Sequence, residues 1–266
     1  TKDFTWFTNL NFGYNDNTVL RETVAENAIK PSREGYSVGA IFAYKTAGLD
    51  DEGYPLFLTQ DGRKVTATEF FKLNNAGAST LSAEEQRNLY SYIGSTEPKV
   101  SGGFMNTFKY KRVTLGINCI FNFGMYVQTT PTYDPTNYDR GLNSNRDILN
   151  RWTPDHTNTT LPKLMTENDG RTGEYLRYKE QNLFRELDIW VKKQNYFRFE
   201  SIRLGYELPE KWLKPVGIKS ASVSLEGRNL WVIASNYHNY LDPETMGNPY
   251  AAPIPKSFIF GLNVNF

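Results

Sequence analysis

Cysteine is almost missing from this chain: Cys119 is the only one, so no internal disulfide framework holds the fold. It sits in the apolar register of a strand, where a small buried hydrophobe is the expected role. No run of eighteen apolar residues occurs, which excludes a transmembrane helix. Charge of one sign is not in excess either. The formal net charge is +1, so the chain as a whole offers no case for binding nucleic acid. Histidine is confined to His156 and His238. His238 has Ser235 and Asp242 nearby, but no nucleophile elbow accompanies them, so no catalytic residue is expected and the protein is not read as an enzyme. The opening, T-K-D-F-T-W, has the look of mid-strand and no signal-peptide pattern. What abounds is aromatic side chains, 15% of all residues. Such enrichment suits sugar-stacking surfaces, aromatic girdles or a β-rich core. The mean hydropathy of −0.56 argues against a helical membrane protein and leaves a barrel open, because only alternate residues of short strands then meet lipid.

Period-two alternation marks seven strands. They are Phe4 to Tyr14, Tyr36 to Tyr44, Val100 to Lys109, Lys111 to Gln128, Asn195 to Tyr206, Ala221 to Val232 and Ser257 to Phe266. The fourth is the most regular, with Val113, Leu115, Ile117, Cys119, Phe121, Phe123, Met125 and Val127 on one face. Thr114, Gly116, Asn118, Asn122, Gly124 and Gln128 lie on the other. In the fifth, the register slips between Phe199 and Ile202, which predicts a bulge. The region Lys45 to Lys99 reads as polar, with turns and one helix over Ser82 to Ile93 begun by an S-x-x-E capping box. Thr129 to Gln194 reads as irregular, and a helical turn is expected between Pro209 and Gly217.

The connectors between these strands run medium, long, very short, very long, short, long. Past the first, long and short alternate, as in outer-membrane barrels with short turns on one side and long loops on the other. Seven strands cannot close a barrel, and open edges in hydrocarbon leave backbone groups unpaired. The fold class expected is therefore all-β: a transmembrane antiparallel β-barrel, of which residues 1–266 supply the last seven or so strands. The other fold that fits the pattern is a soluble, secreted, carbohydrate-binding β-sandwich.

Several segments resemble the SusC/RagA family of TonB-linked outer-membrane transporters. They are Y-F-R-F-E-S-I-R-L-G-Y-E-L-P (196–209), W-L-K-P-V-G-I-K-S-A-S-V-S-L-E-G-R-N-L-W (212–231), L-D-P-E (241–244) and P-I-P-K-S-F-I-F-G-L-N-V-N-F (253–266). Upstream, Y-K-T-A-G-L-D-D-E-G-Y-P, G-S-T-E-P-K-V-S-G-G-F-M-N-T-F-K-Y-K and N-R-W-T-P follow in the family's order. The resemblance implies a barrel of about 22 strands around a plug. This chain would be its C-terminal part, with the plug and N-terminal strands lying elsewhere. It also implies TonB-dependent import of a large nutrient, a glycan fragment or an oligopeptide. The implied partners are a SusD-like surface lipoprotein, the TonB complex, outer-membrane lipid and the barrel-assembly machinery. No cofactor is implied.

Candidate contact residues follow from the loops and the alternation. Tyr133, Tyr138, Trp152, Tyr237, Tyr240 and Tyr250 sit in long connectors, where an aromatic face can stack on sugar, meet a lid or staple the loops. Glu226 and Arg228 are expected to face the lumen. Val113, Leu115, Ile117, Phe121, Phe123, Met125, Phe258 and Phe260, with Trp6, are expected to face lipid. The resemblance makes Phe266 an assembly signal. The acidic and amide cluster Asp134, Asn137, Asp139, Asn143, Asn145 and Asp147 lacks EF-hand spacing and reads as a solvated loop, so no metal site is expected. Asp50, Asp51 and Glu52 read the same way.

Overall fold

The computed structural model describes residues 3–137, 143–235, 242–248 and 250–266. In chain order the strands are β1 (Phe4–Tyr14), β2 (Ala40–Ala43), β3 (Thr46–Leu49), β4 (Pro55–Leu58), β5 (Lys64–Val65), β6 (Ser91–Ser95), β7 (Val100–Tyr110), β8 (Val113–Gln128), β9 (Val191–Glu207), β10 (Ser220–Ala234) and β11 (Ser257–Asn265). The α-helices are α1 (Ala67–Phe71), α2 (Ala83–Arg87), α3 (Thr172–Gln181) and α4 (Glu210–Leu213). The chain divides into two units: Thr1–Asp16, Glu97–Met125 and Lys193–Phe266 form one, and Asn17–Thr96 with Tyr126–Lys192 form the other.

The first unit is built on a six-stranded sheet in the order β1-β7-β8-β9-β10-β11. It is antiparallel throughout. Between β8 and β9, Asn118 donates to Ser201 at 3.0 Å and the Glu207 N–H donates to the Arg112 carbonyl at 2.9 Å, so the strands run in opposite senses. Residues directly opposite one another share a face. Phe4, Trp6, Leu10 and Phe12 of β1 thus lie opposite Tyr110, Phe108, Phe104 and Gly102 of β7, and these lie opposite Val113, Leu115, Cys119 and Phe121 of β8. Farther along the sheet, Tyr206 and Leu204 lie opposite Val223 and Leu225, which lie opposite Leu262 and Phe260. One face is therefore apolar across all six strands. The other carries Thr114, Gly116 and Asn118, then Ser201, Arg203 and Glu207, then Ser222, Ser224 and Glu226, then Asn263 and Asn265.

The expected bulge is present. The β9–β10 register shifts between Arg228 and Trp231, opposite Ser201 and Phe199, and Asn229 takes a left-handed backbone there (φ 53°). Asn tolerates that conformation better than branched residues do. A second break falls at Gly124, φ +82°, where pairing of β8 with β7 has just ended at Phe123. Met125 lies beyond it, so the ladder assigns the apolar face only as far as Phe123. The expectation for Met125 rested on unbroken alternation that Gly124 interrupts.

Two strand expectations need correction. Tyr36 to Tyr44 is not a long strand of the main sheet. Only Ala40–Ala43 is extended, and it pairs with β6 in a separate two-stranded sheet. The main sheet has six strands rather than seven, and β1 pairs directly with β7. Removing that strand makes the alternation of connectors complete: long (15–99), two residues (Lys111–Arg112), long (129–190), short (208–219), long (235–256).

The second unit has its own core and is far from irregular. Tyr44, Tyr54, Phe57, Phe70, Phe71, Tyr133, Met165, Tyr175, Tyr178, Leu183, Phe184, Leu187 and Trp190 are buried together. Within it, α1 is capped by Thr66, and α2 by the expected box, in which Ser82 and Glu85 satisfy each other's backbone N–H groups. That helix stops at Arg87, and Ser91–Ser95 is a strand, so the expected helix to Ile93 is about half as long. The ten-residue α3 was not visible as periodicity, because Glu174 and Arg177 are among its buried residues.

Candidate functional site

The polar face of the six-stranded sheet holds a concave hollow of about 790 Å³. Asn118, Ser201, Arg203, Ser224, Glu226 and Arg228 are among its lining residues. Several of the charged groups in or beside it have polar partners. Arg228 Nε donates to Glu226 Oε1 at 2.5 Å, Lys109 Nζ lies 2.8 Å from Glu207 Oε1, and Arg203 donates to the Ser224 hydroxyl at 3.3 Å. Strand alternation puts Glu226 and Arg228 on the same side, two residues apart, which is why they meet. Such a surface can hydrogen-bond a polar ligand or a polar domain. Ile259, opposite Glu226, is the one large aliphatic residue of β11 on this face.

One buried ionic contact was not foreseen. Arg198, on the polar side of β9, is 2% exposed and paired with Asp242 (Nη2 to Oδ1, 2.5 Å) and with Glu244 (Nε to Oε1, 2.5 Å). Both carboxylates belong to the L-D-P-E segment. Asp242 also accepts the Glu244 backbone N–H at 3.0 Å, which shapes the turn. The motif was visible in sequence, but its partner 44 residues earlier was not.

The loop aromatics separate clearly. Tyr133 is 8% exposed, its ring packs on Phe184 and its hydroxyl donates to the Pro162 carbonyl at 2.7 Å. It staples the core of the second unit, and its expected surface contact is corrected on that ground. Burial pushes its phenol well above the ordinary range. Trp152 is half-buried, with its indole against Gly53; a Cβ on Gly53 would come within 2.5 Å of the ring. Tyr250 is 95% exposed. Tyr138, Tyr237 and Tyr240, together with His238 and Asp139, lie outside the described residues.

The acidic loops are also more structured than expected. Asp50 accepts the backbone N–H groups of Glu52 and Tyr54 and pairs with Arg171 at 2.7 Å, so it is an anchor rather than a solvated residue. Arg171 lies 4.3 Å above the Tyr54 ring, and the Tyr54 hydroxyl donates to Asp169 at 2.9 Å. Burial raises the Asp169 carboxyl, but hydrogen bonds from Thr166, Lys163 and Tyr54 outweigh it and hold the group at about 2. Asp134 accepts from Thr136, and Asn145 from the Asp147 N–H, as turn-formers do. Among the described residues no group of His, Cys, Asp and Glu is arranged to hold a metal.

On the apolar face, Val113 and Phe123 are about 40% exposed, and Phe258 and Phe260 more than 70%. Leu115, Ile117 and Phe121 are partly exposed. Neither buried hydrophobic cluster contains a residue of this face. Phe266, 77% exposed, follows directly on β11.

No family model matches the sequence. TonB-dependent receptor P3 of Formosa agariphila is 24% identical over 298 residues, which takes in the whole chain and 27% of that receptor. TonB-dependent receptor P26 of the same organism is 25% identical over 195 residues, covering 65% of the chain and 18% of its own length. Among solved structures, the RagAB peptide importer in its open-open state superposes with a TM-score of 0.71 at 23% identity, over all of this chain and 27% of that one. Its closed-closed state gives 0.68. The chain thus spans about a quarter of the length of P3 and of the importer chain. Over its whole length the chain is thus similar to a segment of TonB-dependent receptor P3, and it shares its fold with part of the RagAB peptide importer.

Proposed function

We propose that the six-stranded sheet is part of the wall of an outer-membrane barrel, with its apolar face in hydrocarbon and its polar face lining the lumen. The observation that carries this is the register. Cross-strand pairing collects Trp6, Phe108, Leu115, Leu204, Leu225 and Phe260 on one face, while Thr107, Thr114, Arg203, Ser224 and Gly261 fall on the other. That division suits a strand with lipid on one side and water on the other. A soluble sandwich would bury the apolar face in a second sheet, and the exposure of Phe258 and Phe260 does not fit that reading.

The whole protein, of which residues 1–266 are the C-terminal barrel part, imports a nutrient too large for porins, driven by the TonB complex through its plug. A SusD-like lipoprotein closes over the outer side, and the cargo is a glycan fragment or an oligopeptide. Exposed Tyr250 is the described loop aromatic best placed to touch lid or cargo. Phe266 serves as the recognition residue for barrel assembly, and its deletion lowers the yield of protein in the outer membrane.

The test is uptake in cells. A strain lacking the full-length protein loses accumulation of a fluorescent oligopeptide or labelled oligosaccharide, and a protonophore abolishes it in the parent strain. Unchanged uptake of both cargo classes in the deletion strain would overturn the import reading.

A further inference from the structure

The end of the sheet that carries the short turns is unusually basic. Lys109, Lys111, Arg112, Lys211, Lys214 and Lys219 lie there, against Asp3, Glu207 and Glu210. Lys109 pairs with Glu207 at 2.8 Å, and Lys214 with Glu210 at 3.3 Å. Lys111, Arg112, Lys211 and Lys219 have no carboxylate partner among the described residues, and all four side chains are exposed. Amphipathic aromatics cluster at the same end. Tyr110 closes the apolar row of β7 and is 54% exposed, with the Lys111 ammonium 5.4 Å from its ring centre. Tyr206 stands two strands away on the same face, and Trp212 projects from α4 with 57% of its surface open. α4 itself is held by buried Leu213, so Trp212 is not exposed for want of an anchor.

Two independent features thus coincide where the apolar face ends. A rim of Tyr and Trp is suited to the boundary between hydrocarbon and water, and beside it stand four cations with no carboxylate partner among the described residues. Zwitterionic headgroups and bulk water need no such surplus, whereas an anionic headgroup attracts each cation at short range.

We infer that this rim binds anionic phospholipid, with Lys111, Arg112, Lys211 and Lys219 reaching headgroup phosphate and Tyr110, Tyr206 and Trp212 seated at the acyl boundary. The inference rests on the barrel-wall reading, since a soluble sheet would meet no bilayer. It adds to that reading a preference for lipid charge at one end of the strands.

The test uses the full-length protein, released for native mass spectrometry from micelles containing equal amounts of phosphatidylglycerol and phosphatidylcholine. The parent protein retains phosphatidylglycerol preferentially, and raised salt weakens that preference. The quadruple variant K111Q/R112Q/K211Q/K219Q lowers the ratio of retained phosphatidylglycerol to phosphatidylcholine by about threefold or more. Where that variant does not accumulate, K211Q/K219Q alone carries the test, both residues standing on the exposed β9–β10 turn. An unchanged ratio in either variant overturns the inference while leaving the barrel wall intact. Failure of the parent protein to enter a bilayer at all overturns both.

Discussion

Arg198 and Asp242 form an ion pair with almost no access to water, Nη2 to Oδ1 at 2.5 Å, across 44 residues of sequence. The pair ties the connection before β11 to the polar side of β9. Taking both charges out of water is costly, and the arrangement holds because Glu244 adds a second bond to the same guanidinium. Asp242→Ala leaves Arg198 buried with half its partners and costs about 3 kcal/mol of stability. Glu244→Gln, at a position 28% exposed, costs about 1 kcal/mol or less. Unfolding of the full-length protein in detergent measures both, and equal losses would contradict the ranking.

A second prediction concerns a polar residue on the apolar face. Asn106 is 9% exposed, and its side-chain oxygen accepts the Trp6 indole N–H at 2.9 Å. Trp6→Phe keeps an aromatic side chain but orphans the Asn106 amide, which costs about 1–3 kcal/mol. Adding Asn106→Leu removes the unpaired group and recovers most of that loss. A double-mutant cycle in detergent unfolding reads the coupling; additive losses would show that the hydrogen bond contributes nothing.

Gly53 supplies a third. Its backbone is left-handed, φ +82°, and the Trp152 indole fills the place of a side chain. Gly53→Ala therefore combines backbone strain with a clash and destabilises the second unit by about 2–3 kcal/mol. With Trp152→Ala in the background, only the backbone cost of about 1 kcal/mol remains. Limited proteolysis of the region 40–190 follows both variants, and no rescue in the double variant would place Trp152 elsewhere.

The Asp169 carboxyl gives a pH dependence. Its folded value of about 2 lies below the ordinary 3.8. The sign follows from linkage. The contribution is fully present above pH 4, falls as pH drops through the interval from about 4 to about 2, and amounts to at most about 2 kcal/mol. Asp169→Asn removes this dependence while weakening the unit at neutral pH. Hydrogen exchange of the Thr166–Gly170 segment between pH 5 and pH 2.5, corrected for intrinsic rates, checks it. Identical pH profiles for parent and variant would contradict the assignment.

Much of the main sheet was legible because its strands obey a single rule. β1 runs from Phe4 to Tyr14 as its alternation implies, and the bulge near Phe199 was readable from the slip of one residue. Tyr36 to Tyr44 misled for a physical reason. Tyr36, Phe42 and the β6 residue Tyr92 pack into one aromatic group, with ring centres 4.8–5.9 Å apart, and that group needs only four residues of strand. Alternation reports an extended chain; it does not report which neighbour the chain pairs with. The second unit's core was hidden more thoroughly. Tyr44, Tyr54 and Phe57 come from one long connection and Tyr175, Phe184 and Trp190 from another, so no local period connects them. Tyr133 looked like a loop aromatic free to bind for the same reason.

The most direct measurement is the environment of alternate residues on adjacent strands. Nitroxide labels are placed singly on the full-length protein in a bilayer, in a Cys119→Ala background, at Leu115, Ile117, Phe121, Phe258 and Phe260, and at Thr114, Asn118, Asn122 and Asn263. Collisions with oxygen should dominate in the first group and collisions with a water-soluble nickel complex in the second, alternating residue by residue. Labels in the first group shielded from both quenchers, or no alternation along β8, would contradict a sheet with lipid on one face and water on the other.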